Sequence, residues 1–329
     1  MQYKRLGRTG IRIAPLSFGT MTFGDGADKA ESAKLYARCR DAGINLFDTA
    51  DVYAGGESER ILGGLIKDHR DEVVLATKAF YPIGKGLNDC GLSRRHLTRS
   101  LDASLKRLGT DHVDIFYLHA FDDRTPLEES LSALELFRAQ GKILYVGVSN
   151  FAAWQVMKAI KEGQELGIAI HCLQPMYNLL KRQSESELLP MAADQDLAVL
   201  PYGPLAGGVL TGKYLQRTPD NSRLKEQAAY RDRYQDGWVN GATARFVDTA
   251  NALGFAPASL AIAWTMSHPA ITSPLIGARN TGQLETALQA LDIHMTPELR
   301  HRLSALTPAP ALATDRREEQ VQAGGDNIM

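Results

Sequence analysis

Four side chains stand where they could do chemistry together. Three short apolar runs each end on an ionisable residue: 44–47 leads into Asp48, 73–77 into Lys78, and 113–118 into His119. Tyr53 follows in the same loop as Asp48. Alone, each has an ordinary reading: an Asp after a strand caps a turn, a Lys is solvated, a His is satisfied structurally. Together they suit a carbonyl that takes up hydride, because the alkoxide so formed must be protonated. A phenol has an unperturbed pKa of about 10, too high for an efficient acid at neutral pH. A lysine ammonium beside it favours the phenolate, and a carboxylate keeps that lysine charged and aimed. An imidazole can donate to the carbonyl oxygen and orient it. The expected roles are Tyr53 as acid–base, Lys78 as its tuner, Asp48 as the partner of Lys78, and His119 as orienter.

For these ends to meet, the strands must lie side by side and parallel. The chain alternates short apolar runs with helix-like segments throughout. Residues 3–6 and 11–14 read as a hairpin turned by Gly7 to Gly10. Strands are expected at 16–18, 44–47, 73–77, 113–118, 143–148, 171–174, 198–201 and 271–275. The helices between them are expected at 28–42, 57–67, 93–108, 127–140, 152–165, 185–195, 257–267 and 281–291, with an additional one at 297–306. Asp28 with Glu31 reads as a capping box, and Gly43 as a stop. Strands this short and apolar, flanked by amphipathic helices, suit a parallel sheet, and eight such units suggest a (β/α)8 TIM barrel in one domain spanning 1–329. The active-site face of such a barrel is the carboxyl end of its strands, which is where the four residues fall. Segment 216–240, with Tyr230, Tyr234 and Trp238, reads as a lid or an ordered insertion. The tail 309–329 reads as partly mobile.

The totals exclude several classes. There are 37 basic and 38 acidic residues, for a formal net charge of -1. That balance gives no reason to expect nucleic acid or an anionic membrane as partner. No stretch reaches the length of a membrane span, and the charged N-terminus lacks the apolar core of a signal peptide. Cys39, Cys90 and Cys172 are far apart and form no C-x-x-C pair. They read as free thiols of a cytoplasmic protein, with no metal site.

The segments Asp48-Thr49-Ala50-Asp51-Val52-Tyr53, Ala76-Thr77-Lys78 and Asp114-Ile115-Phe116-Tyr117-Leu118-His119 resemble signatures of the aldo-keto reductases. The resemblance runs the length of the chain, through Ser17-Phe18-Gly19-Thr20-Met21, Gly147-Val148-Ser149-Asn150, Gln174-Pro175-Met176-Tyr177-Asn178, Pro204 to Tyr214, and Pro274 to Asn280. It is strongest with the branch that bacterial reductases share with potassium-channel beta subunits. It implies a barrel that binds NAD(P)(H) in extended form without a Rossmann fold. In that scheme Ser149, Asn150 and Gln174 bond the nicotinamide carboxamide, and Tyr202 stacks on the ring. Gly203, Pro204, Leu205 and Gly207 approach the pyrophosphate, with Lys213 nearby. Gly277, Arg279 and Gln283 hold the adenosine end, and Gly19, Thr20 and Met21 line the floor. Arg279, just before a helix start, suits a 2′-phosphate and favours NADP(H), with NAD(H) as the alternative.

The family often carries Glu-Asn near the start of its last barrel helix, where this chain has Thr286-Ala287. That departure bears on adenine and on the choice of NADP or NAD, not on the four residues. Gly207 to Lys213 also matches most of a P-loop, but Tyr214 stands where Mg²⁺ needs Ser or Thr. No G-x-G-x-x-G follows a strand, which disfavours a Rossmann dehydrogenase. A cofactor-sensing binding protein and a metal hydrolase are further rivals. The partner expected is a small carbonyl compound, and a homo-oligomer is allowed. Phe23, Phe80, Phe121 and Trp238 could form an apolar substrate wall.

Overall fold

The structure is a computed structural model that describes residues 2–220 and 222–314. It opens with an antiparallel pair, β1 (Lys4–Arg5) and β2 (Arg12–Ile13). The barrel then begins with β3 (Ser17–Gly19), α1 (Lys29–Asp41), β4 (Leu46–Asp48), α2 (Glu57–Ile66), β5 (Val74–Ala79) and α3 (Arg94–Leu108). It continues with β6 (Val113–Leu118), α4 (Leu127–Ala139), β7 (Ile143–Ser149), α5 (Ala153–Glu165), β8 (Ile170–Gln174), α6 (Leu188–Asp194) and β9 (Ala198–Val199). After a long connection with α7 (Arg223–Glu226), α8 (Ala228–Arg233), α9 (Trp238–Ala252) and α10 (Pro257–Met266) come β10 (Leu275–Ile276), α11 (Thr281–Leu288) and α12 (Pro297–Ser304).

The strands from β3 to β9 pair in parallel and in chain order, and β10 pairs with β3. Closure between β9 and β10 is made by a bridge from Tyr202 to Leu275 and by Leu275 N–H donating to Pro201 O at 2.8 Å. Together with the surrounding helices this is the (β/α)8 barrel. Alternation along each strand divides the core in two. Leu46, Val74, Ala76, Ile115, Tyr117, Cys172 and Leu200 point inward, where Leu6 and Ile13 of the hairpin join them and fill the lower end. Their neighbours Phe47, Leu75, Phe116, Val146 and Leu173 point outward into the helix layer. The two-residue period thus decides that Asp48 and Lys78 face inward with the first group.

Three details differ from expectation. Asp28 caps α1 by accepting from Glu31 N–H at 2.8 Å, but the Glu31 carboxylate does not return the bond; it accepts from Thr281 N–H at 3.0 Å and so ties α1 to α11. Residues 271–274 do not form a ladder. Thr272 Oγ1 accepts from Val199 N–H in place of a backbone oxygen, Pro274 has no N–H to give, and the strand proper is Leu275–Ile276. The segment expected as a lid ends earlier than 240, because α9 starts at Trp238. Its buried positions Val239, Ala242, Phe246 and Ala250 follow a helical period, masked in the sequence by small residues. Of the tail 309–329, residues 315–329 lie outside the described residues. Among the described residues no single helix is long and apolar enough to cross a membrane.

Candidate active site

Strand register places the chemistry. Gly19, Asp48 and Ala76 lie side by side on β3, β4 and β5, and Lys78, Tyr117, Gly147 and Cys172 lie one layer nearer the carboxyl ends. Lys78 is fully buried and leans back onto Asp48. Its Nζ donates to Asp48 Oδ1, to Thr49 O at 2.7 Å, and to Tyr53 Oη at 3.4 Å. An ammonium has three hydrogens, and each has an acceptor. Asp48 Oδ2 accepts from Gln174 Nε2 at 2.8 Å, so both carboxylate oxygens are also engaged. Burial works against the Lys78 charge, but Asp48 and the Tyr53 oxygen outweigh it and raise its pKa. Burial pushes Asp48 up against the pull of Lys78 and Gln174. With every hydrogen of the ammonium placed and both oxygens bonded, the pair is ionic.

Gly147 makes this layer possible. A side-chain carbon there would lie 2.3 Å from the Tyr117 ring, so only glycine lets Tyr117 fill the barrel beneath Lys78. Tyr53 is carried by the loop after β4, where Ala54, Gly55 and Gly56 all take positive φ and turn the chain tightly back into α2. Burial pushes the Tyr53 phenol up, and Lys78 pulls it down without prevailing. The lysine therefore acts in the expected direction, but burial is the larger influence. His119 follows β6 and sits edge-on to Tyr53, with ring centroids 6.0 Å apart, and to Tyr81 at 4.8 Å. Burial, then the Lys78 charge, holds its imidazole well below the usual value, so the ring is neutral. Its Nδ1 has no hydrogen-bond partner among the described residues.

Asp48, Tyr53 and His119 open onto a cavity of about 870 Å³ at the carboxyl ends of the strands. Gly19, Met21, Ser149, Asn150, Gln174 and Tyr202 line it as well. So do Gly203, Pro204, Leu205, Gly207 and Lys213 on one side, and Gly277, Arg279 and Gln283 beyond them. Asn150 takes a left-handed conformation, φ 56°, which Asn tolerates better than most residues. Its Nδ2 donates to His119 O at 2.8 Å, and its Oδ1 accepts from Tyr202 Oη at 2.8 Å. Ser149 Oγ donates to Gln174 O at 2.8 Å. Lys78 does not line the cavity; it touches Asp48 and Tyr53, which do. Thr20 is sealed beneath it, donating to Asp48 O at 3.1 Å and sharing a hydrogen with Ser58.

The expected apolar wall is not where the sequence suggested. Phe23 is fully buried in the core against Phe18. Phe80 packs on the core and on Tyr81, Phe121 packs on Phe151 and Trp154, and Trp238 starts α9 away from the cavity lining. Each is an aromatic near a strand end, but β5 ends at Ala79, and past that end the alternation that points Lys78 inward breaks, so that Phe80 packs on the outer core and Tyr81 lines the cavity. Residues missed by sequence reasoning are Tyr81, Arg223, Tyr230 and Arg233, all of which line the cavity. The last three lie in the connection before α9, where no periodicity tells which side chains turn inward.

The chain matches the Aldo/keto reductase family over residues 15–307 and belongs to that family. It is 39% identical to a probable voltage-gated potassium channel subunit beta of Oryza sativa subsp. japonica, covering 96% of this chain and 99% of that protein. It is 37% identical to the uncharacterized oxidoreductase YrpG of Bacillus subtilis (94% and 97% covered), and 35% identical to the L-glyceraldehyde 3-phosphate reductase of Escherichia coli strain K12 (89% and 88%). These relatives fall in the branch that the sequence resembles. Membership makes the protein an oxidoreductase of carbonyl compounds, from a family that generally uses NAD(P)H.

Proposed function

We propose that this chain is a single-domain cytoplasmic reductase of aldehydes and ketones that prefers NADPH, with Tyr53 as proton donor. One observation carries the reading. Tyr53 accepts the third hydrogen of Lys78, so its own hydroxyl hydrogen is left for the cavity. A nicotinamide held there would supply hydride to the carbonyl carbon. Tyr53 gives its proton to the carbonyl oxygen, and the Lys78 ammonium, anchored by Asp48, stabilises the phenolate left behind. Neutral His119 donates a hydrogen bond to the same oxygen and polarises it. In the reverse direction the Tyr53 phenolate accepts the proton.

The lining fits the cofactor. A side-chain carbon at Gly203 would meet nothing within 4 Å, so bare backbone faces open space where a phosphate could approach. Lys213 passes beside Gly208, and Arg279 stands at the far end of the cavity beside Gln283, whose Oε1 accepts from Arg279 N–H at 2.9 Å. Ser149, Asn150 and Gln174 offer the amide and hydroxyl groups that a carboxamide needs, and Asn150 must share its Oδ1 with Tyr202 to do so. Tyr202 is the stacking surface, and Gly19 and Met21 are the floor. Arg279 would take the 2′-phosphate. Residues 222–237 act as a lid over this channel.

Fluorescence titration with NADPH and NADH, followed by nicotinamide absorbance with an aldehyde panel, tests the reading. Tyr53→Phe is expected to bind NADPH normally and to lose roughly 10²–10⁴-fold in turnover, the scale of general acid catalysis. Near-normal turnover in that variant would sink the role of Tyr53. The relatives named as channel subunits support a second reading, a cofactor-sensing partner protein, which tight binding without turnover would favour.

A further inference from the structure

The lid crosses the cavity from one end to the other. At its start, Glu226 accepts from Arg279 Nη2 at 3.0 Å, which places α7 over the end assigned to adenosine. At its close, Tyr234 Oη accepts from Asn178 Nδ2 at 3.2 Å, and that amide also donates to Gly203 O at 2.9 Å. The C-terminal end of α8 is thereby pinned beside Tyr202, the ring-stacking end. Between these anchors the Tyr230 ring lies against bare Gly207, where a side-chain carbon would come within 2.7 Å of it. Arg223 and Arg233 lie over that ring, at 5.1 and 4.8 Å from its centroid.

The cations lining the cavity are held by different segments. Lys213 lies by Gly208, Arg279 at the adenosine end, and Arg223 on the same short helix as Glu226. Arg233 shares the Tyr230 ring with Arg223, and it directly precedes Tyr234, whose bond to the Asn178 amide beside Gly203 sets it toward the end that holds Tyr202. Tyr81 lines the same cavity and packs against His119. Among the described residues no carboxylate lies within ion-pair distance of Arg233. The carboxylates lining the cavity are Asp25 and Asp48, and Asp48 is neutralised by Lys78. A guanidinium at the rim of a reaction cavity, without an acidic partner, selects for an anion.

We infer that the carbonyl substrate carries a carboxylate or phosphate, and that Arg233 binds it while the carbonyl lies between Tyr53 and His119. The inference rests on the reductase reading and narrows its substrate class to anionic aldehydes and ketones. Arg233 also makes the lid part of the substrate site: an anionic substrate would hold α8 down through its own charge.

The test compares 4-carboxybenzaldehyde with methyl 4-formylbenzoate, alike in shape except for the ester methyl and differing in charge. The wild-type protein is expected to favour the carboxylate by tenfold or more in kcat/KM, an effect that follows the electrostatic scale of a partly buried charged hydrogen bond. In Arg233→Met that ratio should fall to near one through KM, with Arg233→Lys keeping part of it and NADPH affinity within twofold in both. No charge preference in the wild-type protein, or an unchanged ratio in Arg233→Met, would overturn the inference. Weakened NADPH binding in Arg233→Met with an unchanged ratio would assign the arginine to the cofactor instead. If neither aldehyde is turned over, the reductase reading falls, and the anion site is decided separately by titrating terephthalate into the NADPH-bound protein. Saturable quenching of the bound fluorescence that Arg233→Met abolishes would keep the site, and its absence in the wild-type protein would remove it.

Discussion

Replacing Lys78 by Met would remove the cation around which the site is arranged. Asp48 Oδ1 and Thr49 O would lose their donor in a place where Lys78 and Thr49 are fully buried and Asp48 nearly so. Breaking one side of a buried ion pair costs about 3–5 kcal/mol, and a buried carbonyl without a donor costs about 1–3 kcal/mol. Asp48 can limit the loss by taking up a proton. Burial already pushes its carboxyl up, and in the variant the opposing pull of Lys78 is gone. The folded state would then hold a proton that the unfolded state releases above about pH 4, so stability of the variant should fall as pH rises from there. Adding Asp48→Asn removes the unpaired charge. The double variant should therefore be more stable than Lys78→Met alone by about 2 kcal/mol or more at pH 8, and by less at pH 5.5. Urea unfolding with linear extrapolation at both pH values measures this. Additivity of the two substitutions within about 0.5 kcal/mol, or a penalty for Lys78→Met that ignores pH, would refute the ion pair.

Three other outcomes follow from the same structure. Asp51 is buried with neither carboxyl oxygen in a well-formed hydrogen bond, and burial, then Glu59, pushes it up to about 7. The folded state keeps its proton between the unfolded carboxylate pKa and about 7, so this group withdraws stability as pH rises through that window; Asp51→Asn should stabilise the protein at pH 8 more than at pH 5, read from urea midpoints, and equal shifts would count against it. Because His119 is held neutral, kcat/KM for carbonyl reduction should show no inflection near pH 6.5, and a rate that follows an ionisation there would contradict the neutral ring. Glu226→Gln removes the ion pair between Glu226 and Arg279 and should tighten NADPH binding roughly 1.5-fold to fivefold, the effect of a part-exposed pair, while NADH, lacking the 2′-phosphate, is little changed. Equal shifts for the two nucleotides would remove Arg279 from the phosphate.

The order of strands and helices was legible because apolar runs of strand length alternate with helical periods, and closure into a barrel follows from repetition. Asp48, Lys78 and His119 were legible because each ends a strand, and strand ends share one face. The failures share a cause too. Phe23, Phe80 and Phe121 are aromatic and near the right ends, but whether a side chain enters the cavity or the core depends on local turn geometry that composition does not record. The helix at Trp238–Ala252 was hidden because its buried face is built largely from alanine, threonine and a single phenylalanine.

The placement of the candidate residues was thus written in local patterns: which residue stands at or next to which strand end. What only the folded chain decided is how those groups are saturated. Gln174 is committed to Asp48, the Lys78 hydrogens are divided among residues from one neighbouring loop and strand, and Tyr117 fits beneath them because Gly147 has no side chain. The surroundings of Arg223, Arg233 and Arg279 became distinguishable only once the connection before α9 had a path beside the cavity. Hydrogen bonds and ion pairs between residues far apart in the chain depend on distances of a few tenths of an ångström, and those are set by the packing of the whole barrel rather than by any segment of it.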